Sequence, residues 1–182
     1  MLKYVLAIAC LLFVAPLTSF AQSAPAINPP TYCTTTGGVV QSRTPEYGTN
    51  GATPLVLAYP RDFCDYVSKD GSTHIDLLLT TLVTKKPTLA ALAYYAKTKV
   101  NLRKCAGGPG SCYCSGVGGT DEFGGVSAAG GGWVLSTNVN DVLDVCAFPD
   151  LSAIDAYGLF YHSHGIIRGR SLKGLLRFPD PY

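Results

Sequence analysis

The chain has 182 residues, 14 Lys and Arg against 12 Asp and Glu, and only 14% of its residues are charged. A balance this near neutral leaves no electrostatic footprint for nucleic acid, and the length suits one domain or two small ones. So little charge, with Gly and Tyr abundant, points to a surface partly covered by something else.

The start reads as a secretory signal. Lys3 precedes an apolar run from Tyr4 to Leu17, and Ser19-Phe20-Ala21 puts small residues at the two positions a signal peptidase reads. The run is short for a membrane span, which takes about 20 residues. Cys10, after Ala7-Ile8-Ala9, is a weaker lipoprotein acceptor: the apolar segment before it is very short and no Leu stands three residues earlier. The expectation is an exported protein, residues 1–21 removed, in the periplasm or at the outer membrane.

Six cysteines then remain: Cys33, Cys64, Cys105, Cys112, Cys114 and Cys146. An even number in an exported chain implies disulfides. Zinc is disfavoured, because Cys112-Tyr113-Cys114 is the sole close pair and no Cys-x-x-Cys occurs.

Residues 22–30 form an extended lead-in. Asn28 caps and Pro29 opens a short helix to Thr36, which Gly37-Gly38 stops. Thr53–Tyr59 reads as one strand and Phe63–Val67 as a second, with a turn at Lys69-Asp70-Gly71-Ser72. Ile75–Val83 is an apolar run of undecided type. Residues 88–104 read as a linking helix. Thr88 is its N-cap, Leu89, Leu92, Ala93, Ala96 and Val100 share one face, and Lys97 and Lys99 sit near its end. That face is expected to pack on a sheet.

The chain repeats itself. Tyr113-Cys114-x3-Gly118-Gly119 matches Tyr32-Cys33-x3-Gly37-Gly38, and Trp133-Val134-Leu135 stands where Leu55-Val56-Leu57 stood. The next cysteine follows after 31 positions in one copy and 32 in the other. A period of about 80 residues divides the chain into a first module, 31–87, and a second, 105–167, followed by a basic tail, 168–182. The expected architecture is α+β, two related small modules, each a short helix with a small antiparallel sheet. Equivalent cysteines should do equivalent work. The simplest pairing is therefore Cys33–Cys64, Cys114–Cys146 and Cys105–Cys112, and its rival exchanges Cys112 with Cys114.

Two stretches carry a family resemblance: Asn28-Pro29-Pro30-Thr31-Tyr32-Cys33-x3-Gly37-Gly38 and Val145-Cys146-Ala147-Phe148-Pro149-Asp150-Leu151-Ser152. They resemble small Gram-negative envelope proteins labelled haemolysin-like or of unknown function, with an Asn-Pro-x-x-Tyr-Cys-x3-Gly-Gly opening and a Cys-x-Phe-Pro-Asp-Gly-Ser hairpin. Leu151 stands where that family has Gly. The resemblance implies fold and compartment, with no established chemistry and no cofactor.

Candidate chemistry is sparse. His162-Ser163-His164 would put two imidazoles on one face of a strand, with His74 as a third ligand, a weak metal candidate. No Gly-x-Ser-x-Gly elbow occurs, and Asp150 and Asp155 read as turn residues. Gly107-Gly108-Pro109-Gly110 and Gly130-Gly131-Gly132 lack a phosphate-loop Lys. In the tail, Arg168, Arg170, Lys173 and Arg177 alternate with Leu172, Leu175, Leu176 and Phe178. That mixture suits either an anionic membrane surface or a partner, or a tail packed on its own domain. The expected function is a non-catalytic structural or interaction component of a Gram-negative envelope assembly, an outer-membrane secretion-system core complex being its specific form. The expected partners are other envelope proteins in a multi-subunit complex, with no nucleic acid, and membrane association runs through those partners or the tail. The alternatives are a secreted inhibitor or toxin-like protein using a disulfide-braced loop from Cys105 to Cys114, and a metal-binding enzyme.

Overall fold

A computed structural model describes residues 27–121 and 129–182. The expected signal segment, residues 1–21, and Cys10 lie outside the described residues. Three disulfides are present, Cys33–Cys64, Cys105–Cys112 and Cys114–Cys146, which is the simplest of the expected pairings. They point to an oxidising, exported compartment. Among the described residues no helix is long and apolar enough to cross a membrane.

Helix α1 (Pro29–Thr35) begins as expected. Asn28 accepts a hydrogen bond from Thr31 N, and proline occupies the first turn. Strand β1 (Val39–Tyr47) follows, then the two-residue β2 (Leu55–Val56), β3 (Arg61–Val67) and β4 (His74–Leu78). The undecided run is both strand and helix: β4 passes directly into α2 (Leu79–Val83). Helix α3 (Leu89–Ala96) and α4 (Pro109–Gly116) precede β5 (Thr120–Asp121). Strands β6 (Gly131–Leu135), β7 (Asn138–Leu143), β8 (Val145–Ala147) and β9 (Ala153–Asp155) lead into α5 (Ala156–Ser163).

The class is α+β with antiparallel pairing, but the expectation of two separate small sheets is corrected. All strands join one sheet in the order β5-β8-β9-β4-β3-β1-β6-β7, with β2 on β1. The join is the antiparallel β4–β9 pair at Leu77 and Ile154. Two three-stranded sheets would each present an unpaired edge, and pairing those edges satisfies both. The order β5-β8-β9 mirrors β1-β3-β4 about this join. The α1 and α4 disulfides fall at matching places, Cys33 to β3 and Cys114 to β8.

The sheet must also curl. β7 lies at one edge and β8 beside the other, yet a single residue, Asp144, connects them. One residue reaches only about 7 Å, so the two edges come close together. Alternation along the strands then gives two faces. Cys64, Tyr66, Ile75, Leu77 and Ile154 lie on the outer face and pack under the helices with Leu82, Tyr94, Tyr113 and Leu159. Phe63, Trp133, Leu143, Val145 and Ala153 form a second cluster on the inner face.

Helix α3 is shorter than expected and turned. It ends at Lys97, whose φ of 47° is left-handed, and it buries Ala90, Ala91, Ala93 and Tyr94, whereas Leu89 and Ala96 face outward. The tight turn after β8 explains its position. Asp150 accepts from Leu89 N at 2.8 Å, and Ser152 Oγ accepts from Ala90 N at 3.0 Å. Two modules are thus tied by a turn of one capping the helix that links them.

Candidate functional site on the inner face of the curled sheet

The inner face has an ionic end and an apolar end. β3 and β4 pair so that Asp65 lies directly opposite Asp76. His74 is two residues before Asp76 and shares its face. Its Nδ1 donates to Asp76 Oδ2 at 2.8 Å and lies 3.6 Å from Asp65 Oδ1. β1 supplies Gln41, which donates to Asp65 Oδ2 at 2.8 Å, and Arg43, which is fully buried. The Arg43 guanidinium donates to Gln41 Oε1, to Trp133 O and to Asp141 Oδ1, and lies 3.7 Å from Asp76 Oδ1.

These carboxylates hold a proton on His74. The adjacent carboxylates of Asp65 and Asp76 raise its pKa to about 10. Burial raises Asp155, at the start of α5, to about 7. Two buried oxygens, Asp65 Oδ1 and Asp76 Oδ1, accept no hydrogen bond. A hollow of about 180 Å³ opens beside Asp65 and His74.

At the other end, Trp133 packs edge-on against Phe63 with ring centroids 5.3 Å apart. Beyond them an open groove of about 670 Å³ is walled by Pro45, Leu57, Tyr59, Trp133, Phe148 and Leu151. Tyr59 is 90% exposed and Leu151 78%. The Trp133 indole N–H is buried, and finds no acceptor among the described residues.

Leu151 holds an unusual backbone. It has φ of +64°, and its counterpart in the first module is Gly71 at +72°. The turns match in other respects. Asp70 accepts from Ser72 N at 3.2 Å, and Asp150 accepts from Ser152 N at 3.1 Å. The turn that the family resemblance assigns to Gly is therefore kept with leucine in it, at a cost of about 1–2 kcal/mol.

The histidines expected to share a strand face lie on α5 instead. His162 is buried and stacks on Tyr94 with ring centroids 3.7 Å apart. Burial and the nearby Lys97 lower its pKa to about 4. His164 caps the helix end and is exposed. Two positions apart on a helix, the rings diverge, and His74 lies in the ionic cluster.

The tail lies on its own domain. Leu172 and Leu176 are buried in the core, and Arg177 N donates to Leu82 O. Arg168, Arg170 and Arg177 stack over Tyr161, Tyr66 and Tyr32, and Lys173 pairs with Asp180 at 3.2 Å. The Cys105–Cys114 stretch is largely helix α4. Residues 110–114 are buried, which leaves 105–108 as the presented loop. Among the described residues all six cysteines are in disulfides, so none of these supplies a thiolate nucleophile.

Neither the ionic cluster nor the groove was singled out from sequence. The cluster had a usable signal, since placing a turn at residues 69–72 fixes a hairpin register with Asp65 facing Asp76. Comparison with family models, with curated proteins and with solved structures finds no match.

Proposed function

We propose that the protein is a non-catalytic interaction component of a Gram-negative cell-envelope assembly, an outer-membrane secretion-system core complex being its specific form. Its groove would hold an extended apolar segment of another envelope protein. The observation that carries this reading is Leu151. A leucine that is 78% exposed and left-handed gains little from its own fold, and glycine would relax the turn. Strain of this kind persists where the side chain serves a contact. Its side chain, covered by a partner, would contribute about 1.5–3 kcal/mol.

The test is Leu151→Gly. The variant should melt at least as high as the wild type, since it sheds left-handed strain of about 1 kcal/mol. Its partner affinity should fall at least about tenfold, about 1.4 kcal/mol. A variant that keeps its partners in full on native co-purification would refute the groove as the contact.

A further inference from the structure

We propose that Asp65, His74 and Asp76 form a binding site for one divalent transition-metal ion, with zinc as the type. One ligand atom from each residue, Nδ1 of His74 and one carboxylate oxygen of each Asp, lies within 4.8 Å of the others. The cluster is more than an acidic patch. Asp65 and Asp76 are opposed across an antiparallel pair, where like charges repel; the His74 proton stands between them, and a metal ion would take its place. Both are buried. Asp65 Oδ1 accepts no hydrogen bond and lies 3.6 Å from His74 Nδ1, whereas Asp76 Oδ1, also without a hydrogen bond, is set 3.7 Å from the Arg43 guanidinium. Burying the Asp65 oxygen without a hydrogen bond is costly, and a metal ion held beside His74 Nδ1 would be its partner.

The distances suit the ion. Zinc takes carboxylate oxygen and imidazole nitrogen at about 2.0–2.2 Å, which sets tetrahedral neighbours roughly 3.4 Å apart. The His74 Nδ1 to Asp65 Oδ1 separation is already 3.6 Å. The contact to Asp76 Oδ2, 2.8 Å, would open by roughly half an ångström as metal replaces the proton between them. Gln41 holds the other Asp65 oxygen, and Arg43 flanks Asp76, so both ligands have the outer support such sites use. The hollow of about 180 Å³ gives the ion an entry and leaves room for solvent at an open position. One imidazole with two carboxylates suits zinc or manganese better than a soft metal.

The test uses the mature protein, stripped with chelator and titrated with Co²⁺ followed by its visible absorption, then with Zn²⁺ in competition. One equivalent is expected to bind. Asp65→Asn and His74→Gln should each weaken binding at least tenfold, while His162→Gln and His164→Gln leave it unchanged. No stoichiometric binding, or binding that survives both Asp65→Asn and His74→Gln, overturns the proposal. X-ray absorption at the zinc edge of the wild-type protein tests it without any variant. A first shell of oxygens with a single imidazole is expected, and a shell with no imidazole or with two overturns it.

Discussion

The paired glycines after each short helix make a sharp prediction, because the second of each pair abuts a disulfide. A methyl group built on Gly38 would stand 2.9 Å from Cys33 Sγ, closer still to Cys64 Sγ, and 3.0 Å from Tyr66 Cε1. On Gly119 it would stand 2.8 Å from Cys114 Sγ and closer still to Cys146 Sγ. Ordinary contacts are about 3.5–4.0 Å, so each methyl demands a displacement on the order of 1 Å from a bridge anchored at both ends. Overpacking of this kind costs about 1–3 kcal/mol, and alanine returns up to about 1 kcal/mol of backbone entropy. Gly38→Ala and Gly119→Ala should each destabilise by about 2 kcal/mol, or roughly 4–8 °C in Tm for a chain of this size. The decisive assay is a double-mutant cycle by denaturant melts. In a Cys33→Ala, Cys64→Ala background the two sulfur contacts are gone, only the Tyr66 Cε1 contact is left, and most of the cost of Gly38→Ala should disappear. An equal cost in both backgrounds, or none in the wild type, would refute the steric account.

Other predictions follow from the ionic end and from α5. Arg43→Met removes the donor to Gln41, Trp133 O and Asp141 and leaves buried carboxylates without their counter-charge; it should cost about 3–5 kcal/mol by urea melts, and a cost under about 1 kcal/mol would show the guanidinium to be dispensable. His162 carries a pKa of about 4 in the fold against about 6.5 unfolded, so the unfolded chain binds its proton more readily between those values. Its contribution is present above pH 6.5 and lost as pH falls through 4, about 2 kcal/mol after allowing for solvent screening. Asp155, raised to about 7, acts with the opposite sign over pH 3.8–7, so the wild-type curve must be read against His162→Gln. The difference in stability between the two should grow as pH rises from 4 to 6.5, and a flat difference contradicts the buried neutral imidazole.

What could be read from the chain was what local chemistry decides. Asn28, Pro29 and Thr88 announced helix starts because capping is local. The disulfides were readable because two copies constrain each other. Strand β1 was hidden because its inward positions are Gln41, Arg43 and Pro45, so no alternation of apolar residues appears. Helix α5 was hidden by Gly158, a poor helix former, and by Asp155, which reads as a turn yet accepts from Tyr157 N as a cap. The single sheet rests on one residue pair between β4 and β9, and the inner face on the curl imposed by Asp144. Both are tertiary facts with no local signature. The α3 stripe misled for a related reason: which helix face is buried was decided by the Asp150 and Ser152 caps, from residues about 60 positions away.

The interaction reading is tested most directly by the native species itself. The protein, tagged at its exposed C-terminal Tyr182, would be extracted from the envelope in mild detergent, sized, and its co-purifying proteins identified by mass spectrometry. The account predicts a large membrane-associated complex with stoichiometric partners, lost in Leu151→Gly. A lone species of about monomer mass, free in the periplasm or the medium, would contradict it.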